Sequence, residues 1–395
     1  MGLRGCGVEP YHGRSMPARK RTATTTSRRK AASGPPAPSG RTTFAPSPSK
    51  RIGVGILGAT GTVGQRFIQL LEKHPWFEVA EVMASDQSAG KRYEEAVGSR
   101  WKLPTAIPER VRGLRVKGPR ERLASRLLFS ALDASVAGEL EEHYAAAGHL
   151  VSSNARNHRM DPLVPLVIPE INRDHLGLLE RQPYKNGGGI VTNPNCSTIV
   201  LALALAPLHQ RFGVESVIVT TFQATSGAGY PGVPSLDILG NVVPFVPGEE
   251  AKMESETQKI LGTLNGRGIE MAAFPVSAQC HRVPVVDGHL EAVSLKLRRP
   301  ATRKQVSEAL SGFRPLTKLD LPSAPADPIS VRLEDDRPQP RLDADRDGGM
   351  GVTVGRLRPC PVLHWKFEAL GHNTIRGAAG AAILNAEILL RDGRL

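Results

Sequence analysis

The sequence predicts an α/β protein: a Rossmann-type, doubly wound dinucleotide-binding domain followed by a mixed α+β domain. Three observations carry that reading. A glycine-rich turn joins a strand to a helix near residue 58. Apolar runs alternate with helical patterns up to residue 195, and beyond it the texture changes to β-branched strands.

Residues 51–57 form a short apolar strand, Gly58-Ala59-Thr60-Gly61-Thr62-Val63-Gly64 follows, and residues 65–73 have helical periodicity. That order brings backbone N–H groups up to a dinucleotide pyrophosphate at a helix N-terminus. Further strands are expected over 77–84, 127–132 and 149–152, with a helix over 134–147 and another apolar run over 163–168. Residues 189–192 read as a strand that gives way to a buried helix over 199–208. In the second part, strands are expected over 214–222, 272–276, 290–297, 352–357 and 362–369, in a mixed and mainly antiparallel sheet. Thr302 and Gln305 stand at capping-box spacing at the head of a helix over 302–313. The small-residue apolar helix over 374–390 is placed to dock back on the first domain. No internal repeat is visible.

Asn193-Pro194-Asn195-Cys196-Ser197-Thr198 sets a cysteine at the strand-to-helix junction. There a thiol meets the positive end of the helix dipole and free N–H groups, which favour thiolate and can hold an oxyanion. An arbitrary cysteine reads as a small core residue. Beside a dinucleotide turn, an activated thiol points instead to acyl transfer coupled to hydride transfer through a thioester. The other cysteines, Cys6, Cys280 and Cys360, are too widely spaced for a zinc site or a disulfide framework. Cys280 and Cys360 read as structural thiols, and a reducing compartment fits.

No apolar run approaches the roughly 18–20 residues that span a bilayer, so no membrane partner is expected. The net charge of +13 suggests nucleic acid, yet residues 1–50 hold ten Lys or Arg against Glu9 alone, leaving +4 for the rest. That segment is rich in Pro, Ser, Thr and Gly, and disorder is expected of it. Three readings of it stay open: an organelle transit peptide, a nucleic-acid-binding arm, or a segment without function, being either a dispensable tail or an over-extended start with Met16 or a later residue as the true beginning. It has no apolar stretch of the kind that directs secretion.

Several motifs together resemble the aspartate-semialdehyde dehydrogenase family, in its archaeal and fungal branch, over residues 52–395. They are the glycine turn, Asn193 to Thr198, Phe222-Gln223-Ala224-Thr225-Ser226-Gly227-Ala228-Gly229, Glu249-Glu250-Ala251-Lys252, Arg282-Val283-Pro284-Val285 with Gly288-His289, and His372-Asn373-Thr374-Ile375-Arg376-Gly377. The resemblance implies a dinucleotide-binding domain over 51–195, completed by a C-terminal helix over 373–395, and a catalytic and dimerisation domain over 196–372. It implies NADPH-dependent reduction of L-aspartyl 4-phosphate to L-aspartate 4-semialdehyde with release of phosphate, on the route to lysine, threonine, methionine and isoleucine. Cys196 would be the nucleophile and His289 the acid/base, taking the thiol proton and returning it. Gln223 would position the acyl oxygen, Arg282 would grip the α-carboxylate in bidentate fashion, and Glu249 would meet the amino group. Lys252 would hold phosphate, unless it is an ordinary helical ion pair with Glu249. Arg159 matches the other phosphate position, with Arg156 as its rival. For the cofactor NADP(H), the resemblance points to Gly58, Thr60, Gly61, Thr62, Val63 and Gly64 at the pyrophosphate, and to Ser226, Gly227 and Asn373 near the nicotinamide. Ser85, Ser88 and Lys91 would hold a 2′-phosphate. Many relatives carry a basic residue where this chain has Gln87, and Asp86 suits a ribose hydroxyl, so the preference over NAD stays open. A homodimer or homotetramer is implied, cytoplasmic, or in a plastid or other organelle if the tail is a transit peptide. The alternatives are a malonyl-CoA reductase of the same fold and a non-catalytic dinucleotide sensor; a sensor predicts loss of Cys196 or His289, and both are present.

Residues 1–48 lack the apolar periodicity to join a core, so a chain beginning at Ser49 is expected to keep full activity and melting temperature. A loss of several degrees by calorimetry would show that the segment packs.

Overall fold

A computed structural model describes residues 50–395, so all but the last residue of the expected tail, and Cys6 with it, lie outside the described residues. The first sheet contains β1 (Ile52–Leu57), β2 (Phe77–Met83), β3 (Val116–Lys117), β4 (Leu127–Ser130), β5 (Leu150–Ser153) and β6 (Gly189–Thr192), in the order β3-β2-β1-β4-β5-β6. Every pairing is parallel. β4, β5 and β6 are buried throughout, as strands covered on both faces must be. The expected apolar run over 163–168 forms no strand; it lies along β6 through a single bridge between Leu166 and Thr192.

Helices cover both faces. α1 (Thr62–Leu71) lays Phe67, Ile68 and Leu71 on one face, while α2 (Ala134–Ala146) lays Leu140 and Tyr144 on the other. From β6 the chain enters α3 (Cys196–Phe212), whose residues from Ser197 to Leu208 are all buried.

The second sheet is built from β7 (Val214–Gln223), β10 (Val276–Arg282), β11 (His289–Leu297), β12 (Ile329–Val331), β13 (Val352–Pro359) and β14 (Trp365–Gly371); β8 (Thr263–Asn265) and β9 (Gly268–Glu270) make a separate hairpin. Its order is β10-β7-β11-β14-β13-β12, antiparallel in the middle and parallel at both edges. The strand expected over 272–276 begins only at Val276, because Pro275 has no N–H to donate to a ladder. From there Val276, Ala278, Cys280 and Arg282 alternate inward. α4 (Glu249–Ile260) and α5 (Arg303–Ser311) pack with α3 against this sheet, and α5 carries the expected Thr302–Gln305 capping box.

The chain closes with α6 (Gly380–Arg391), buried against β4 and β5. A π-helical turn, Ile375–Ala379, precedes it. Such wide turns persist where something holds them, and here Arg376 pairs with Glu170 at 2.8 Å with both side chains fully buried. The turn presses Gly377 onto the start of α3, so closely that a Cβ there would lie 2.7 Å from the Cβ of Cys196. Gly377→Ala is therefore expected to cost about 1–3 kcal/mol in urea unfolding and to slow alkylation of Cys196 by iodoacetamide. Wild-type values for both would show that the turn yields freely.

Candidate active site

Pro194 and Asn195 turn the chain from β6 into α3, and Asn195 is the N-cap. Its Oδ1 accepts the N–H groups of Ser197 (2.9 Å) and Thr198 (3.1 Å). The free N–H groups expected at this helix start are thus mostly taken by the cap. The Cys196 N–H keeps no acceptor among the described residues.

Cys196 Sγ lies 3.2 Å from Nε2 of His289, the first residue of β11. On its other side the ring is pinned, because the Ala224 N–H donates to Nδ1 at 3.0 Å. A neutral imidazole that accepts at Nδ1 carries its proton on Nε2. Burial, then Arg282 and His372, push His289 down to about 3, so the ring is neutral at physiological pH. It therefore points a donor at the sulfur. Taking the thiol proton, as the sequence suggested, would require the Ala224 bond to open; giving a proton or a hydrogen bond requires no rearrangement.

Burial and Glu249 push the Cys196 thiol up to about 12, while Arg159, Arg282 and Lys252 pull it down. The helix N-terminus and the His289 N–H act with those cations. The expectation of a ready thiolate thus needs correction: the enclosed sulfur holds its proton until the charges around it change.

Arg282 ends β10 and His289 begins β11, and the two strands flank β7 on opposite sides. A Cβ at Gly227 would lie 3.0 Å from Arg282 Nη1 and 3.1 Å from His289 Cε1, so both side chains border one space. Arg282 Nη1 donates to the Ala224 carbonyl (2.9 Å) and faces Gln223 Oε1 (3.5 Å); its Nε and Nη2 make no bond to a described residue. Glu249 Oε1 accepts from Asn195 Nδ2 (2.6 Å) and Gln223 Nε2 (3.3 Å), and its Oε2 pairs with Lys252 (3.1 Å). That pair is not on a solvated face, since Glu249 is buried and Lys252 acts on the thiol. Arg159 is buried and acts on the thiol too, whereas Arg156 is exposed and does not. Arg159 is bonded to Glu256 (3.0 Å) and to the Asn154 carbonyl (2.6 Å).

Sequence reasoning missed three side chains here. Asn195 and Glu256 are described above, and the third is Glu291. It is fully buried two residues beyond His289 on the same face of β11, both oxygens unpartnered among the described residues. Burial and then Glu249 raise its pKa well above the ordinary carboxylate value. The visible signal was a glutamate in the inward register of a strand of apolar residues.

A cavity of about 820 Å³ opens at the C-terminal ends of β1, β2 and β4, where the strand order reverses. Gly58, Thr60, Gly61, Thr62, Val63 and Ser85 line it. Gly58 has φ +74°, and a Cβ there would meet the Ala131 carbonyl at 2.6 Å. Gly64 lies beneath, packed on the backbone of Gly58 and Ala59. Ser88 and Lys91 do not line the cavity: Ser88 is buried, and Lys91 faces solvent. Arg100, Arg120 and Asp86 line it instead, with Arg120 paired to Glu139. The far end reaches Ala228, Gly229 and Tyr230, next to Gly227. Nearby, Asn373 Nδ2 donates to Ser226 Oγ (2.8 Å), which donates to Asp287 (2.7 Å). No group of metal ligands occurs among the described residues.

The chain is similar to known proteins over most of its length. Residues 53–179 match the family described as semialdehyde dehydrogenase, NAD binding domain, and residues 205–376 match semialdehyde dehydrogenase, dimerisation domain. An aspartate-semialdehyde dehydrogenase of Archaeoglobus fulgidus is 51% identical over 345 residues, which cover 87% of this chain and 99% of that one. The chain belongs to the aspartate-semialdehyde dehydrogenase family. The Schizosaccharomyces pombe enzyme is 48% identical over 352 residues, covering 86% of this chain and 98% of its own. The crystal structure of the Candida albicans enzyme with NADP superposes at a TM-score of 0.81, with 43% identity over 88% of this chain and all of the other. As in that family, a parallel dinucleotide-binding sheet and a mixed second sheet occur together, and no helix of the described residues is long and apolar enough to cross a membrane.

Nitrogen-15 NMR of the ring is expected to show His289 as the neutral Nε2–H tautomer from pH 5 to pH 9. Protonation near the ordinary histidine value, or an Nδ1–H form, would contradict the placement.

Proposed function

We propose that this chain catalyses NADPH-dependent reductive dephosphorylation of L-aspartyl 4-phosphate to L-aspartate 4-semialdehyde, through a thioester on Cys196, in the aspartate pathway of amino-acid biosynthesis. The observation that carries the reading is the Cys196–His289 contact at a helix N-terminus, ringed by Arg282, Lys252 and Arg159.

The cavity fits NADP(H). Gly61 caps α1 with no side chain, leaving first-turn N–H groups for the pyrophosphate, and Gly58 lets the backbone approach. Ser85 and Arg120 would hold the 2′-phosphate in place of Ser88 and Lys91, and Ser226, Gly227 and Asn373 would border the nicotinamide. Bound NADPH supplies the hydride that reduces the acyl group.

The side chains divide the substrate between them. Arg282 offers its free Nε and Nη2 to the α-carboxylate, a bidentate grip that lysine cannot reproduce. Glu249 receives the α-ammonium, which offsets the charge that, after burial, most opposes a thiolate on Cys196. Lys252 and Arg159 hold the phosphoryl oxygens. Cys196 attacks the acyl carbon, the bond from that carbon to the phosphate oxygen breaks, the thiol proton leaves with the phosphate as hydrogen phosphate, and the acyl group rests on sulfur. Through addition and collapse, the Cys196 N–H, the Gln223 amide and the His289 Nε2–H donate to the acyl oxygen. Charge on the departing sulfur is met by His289. The partner is a second copy, or three, of this chain, joined through the second sheet, and residues 1–50 take no part in the chemistry.

The test is the reverse reaction with aspartate semialdehyde, phosphate and NADP. Turnover should depend on phosphate, and Cys196→Ser should abolish it with the fold intact. Arg282→Ala should raise KM for the aldehyde by about one to two orders of magnitude, the loss of a charged hydrogen bond worth about 1.5–3 kcal/mol, and Arg282→Lys should recover little of it. Turnover without phosphate, together with brisk reduction of malonyl-CoA by NADPH, would overturn the reading.

A further inference from the structure

Helix α4 contributes more than its first turn. Glu249, Lys252, Glu256 and Lys259 follow one another at steps of three, four and three residues, so they share one helix face. That face looks inward: Glu249, Glu256 and Lys259 are all at most 5% exposed. Glu256 uses each oxygen for a different element of the site. Oε1 accepts from Arg159 Nη1 at 3.0 Å, and Oε2 accepts the Asn195 N–H at 2.7 Å. Asn195 is the cap of the helix that begins with Cys196. One buried carboxylate therefore spans from Arg159 to the residue that caps the Cys196 helix.

The loop that carries Arg159 is held independently of this bridge. Lys259 Nζ donates to the carbonyls of Arg159 (2.7 Å), Asp161 (2.7 Å) and Val164 (2.9 Å). At the other end, Glu141 accepts from Ser130 Oγ (2.5 Å) and Ser153 Oγ (2.7 Å), which ties β4 to the start of the loop. Backbone position is thus set by Lys259 and Glu141, and what Glu256 adds is the direction of the guanidinium.

We propose that Glu256 is a positioning residue, which orients Arg159 toward the phosphoryl group of the substrate and locks that orientation to the cap of the Cys196 helix. The inference rests on Arg159 being a phosphate ligand in the reading above. It makes phosphate affinity depend on a residue that touches neither substrate nor cofactor.

The experiment measures KM for phosphate and KM for aspartate semialdehyde in the oxidative direction, in wild type, Arg159→Ala, Glu256→Asp, Glu256→Gln and the Arg159→Ala/Glu256→Asp double variant. Aspartate keeps the charge but is one methylene too short to reach both partners. Glutamine keeps the length but removes the charge that balances Arg159 and leaves one acceptor oxygen for two donors, so the aspartate variant carries the test if the glutamine variant fails to fold. Glu256→Asp is expected to raise KM for phosphate about tenfold, to leave that for the aldehyde within about twofold, and to add nothing in the Arg159→Ala background. Equal rises in both constants, or effects that add in the double variant, would overturn the proposal and reduce Glu256 to a structural ion pair. A wild type indifferent to phosphate, or an Arg159→Ala variant with unchanged phosphate KM, would instead strike the underlying assignment.

Discussion

The contact between Cys196 Sγ and His289 Nε2 is the constraint around which the rest is arranged. It brings together the first residue of α3 and the first residue of β11, which no local rule makes neighbours. β11 is set beside β7, whose continuation supplies the Ala224 N–H that orients the ring. The start of α3 is pressed from behind by Gly377, in a turn fastened by the buried Arg376–Glu170 pair. Each support belongs to a different stretch of chain, so the pair exists only in the folded molecule.

The electrostatics of the site follow from its enclosure. Burial drives the thiol up and the imidazole down, so the resting pair is neutral. Charged groups stand one step away: Glu249 with Lys252, Arg159 with Glu256, and Arg282 with two unused donors. A substrate carrying a carboxylate, an ammonium and a phosphate would find an opposite charge for each group.

Much of this was legible in the chain. The glycine turn, the alternation of strands and helices and the capping box follow from local patterns, and Asn193 to Thr198 marks the candidate nucleophile by its place between a strand and an apolar helix. Other features depend on long-range geometry. For the 2′-phosphate the sequence pointed to the loop after β2, where Ser85 lines the cavity, Ser88 is buried and Lys91 is exposed, and only the structure shows that Arg120, from beyond β3, lines the same cavity. The strand expected over 272–276 was misplaced by Pro275, although the alternation of Val276, Ala278, Cys280 and Arg282 was there to be read. Glu256 was hidden differently. Its spacing from Glu249 and Lys252 is plain in the sequence, but only the structure shows that this charged face looks inward. The proton on His289 could not be read from the sequence at all, because it is set by an amide sixty-five residues away.

The central claim is that Cys196 carries the acyl group. Enzyme incubated with aspartate semialdehyde and NADP, with phosphate withheld, should accumulate an acyl adduct on the peptide containing Cys196, read by intact and peptide mass spectrometry, and added phosphate should discharge it. Stoichiometric NADPH formation with no adduct, or an adduct on Cys280 or Cys360 in place of Cys196, would contradict the account.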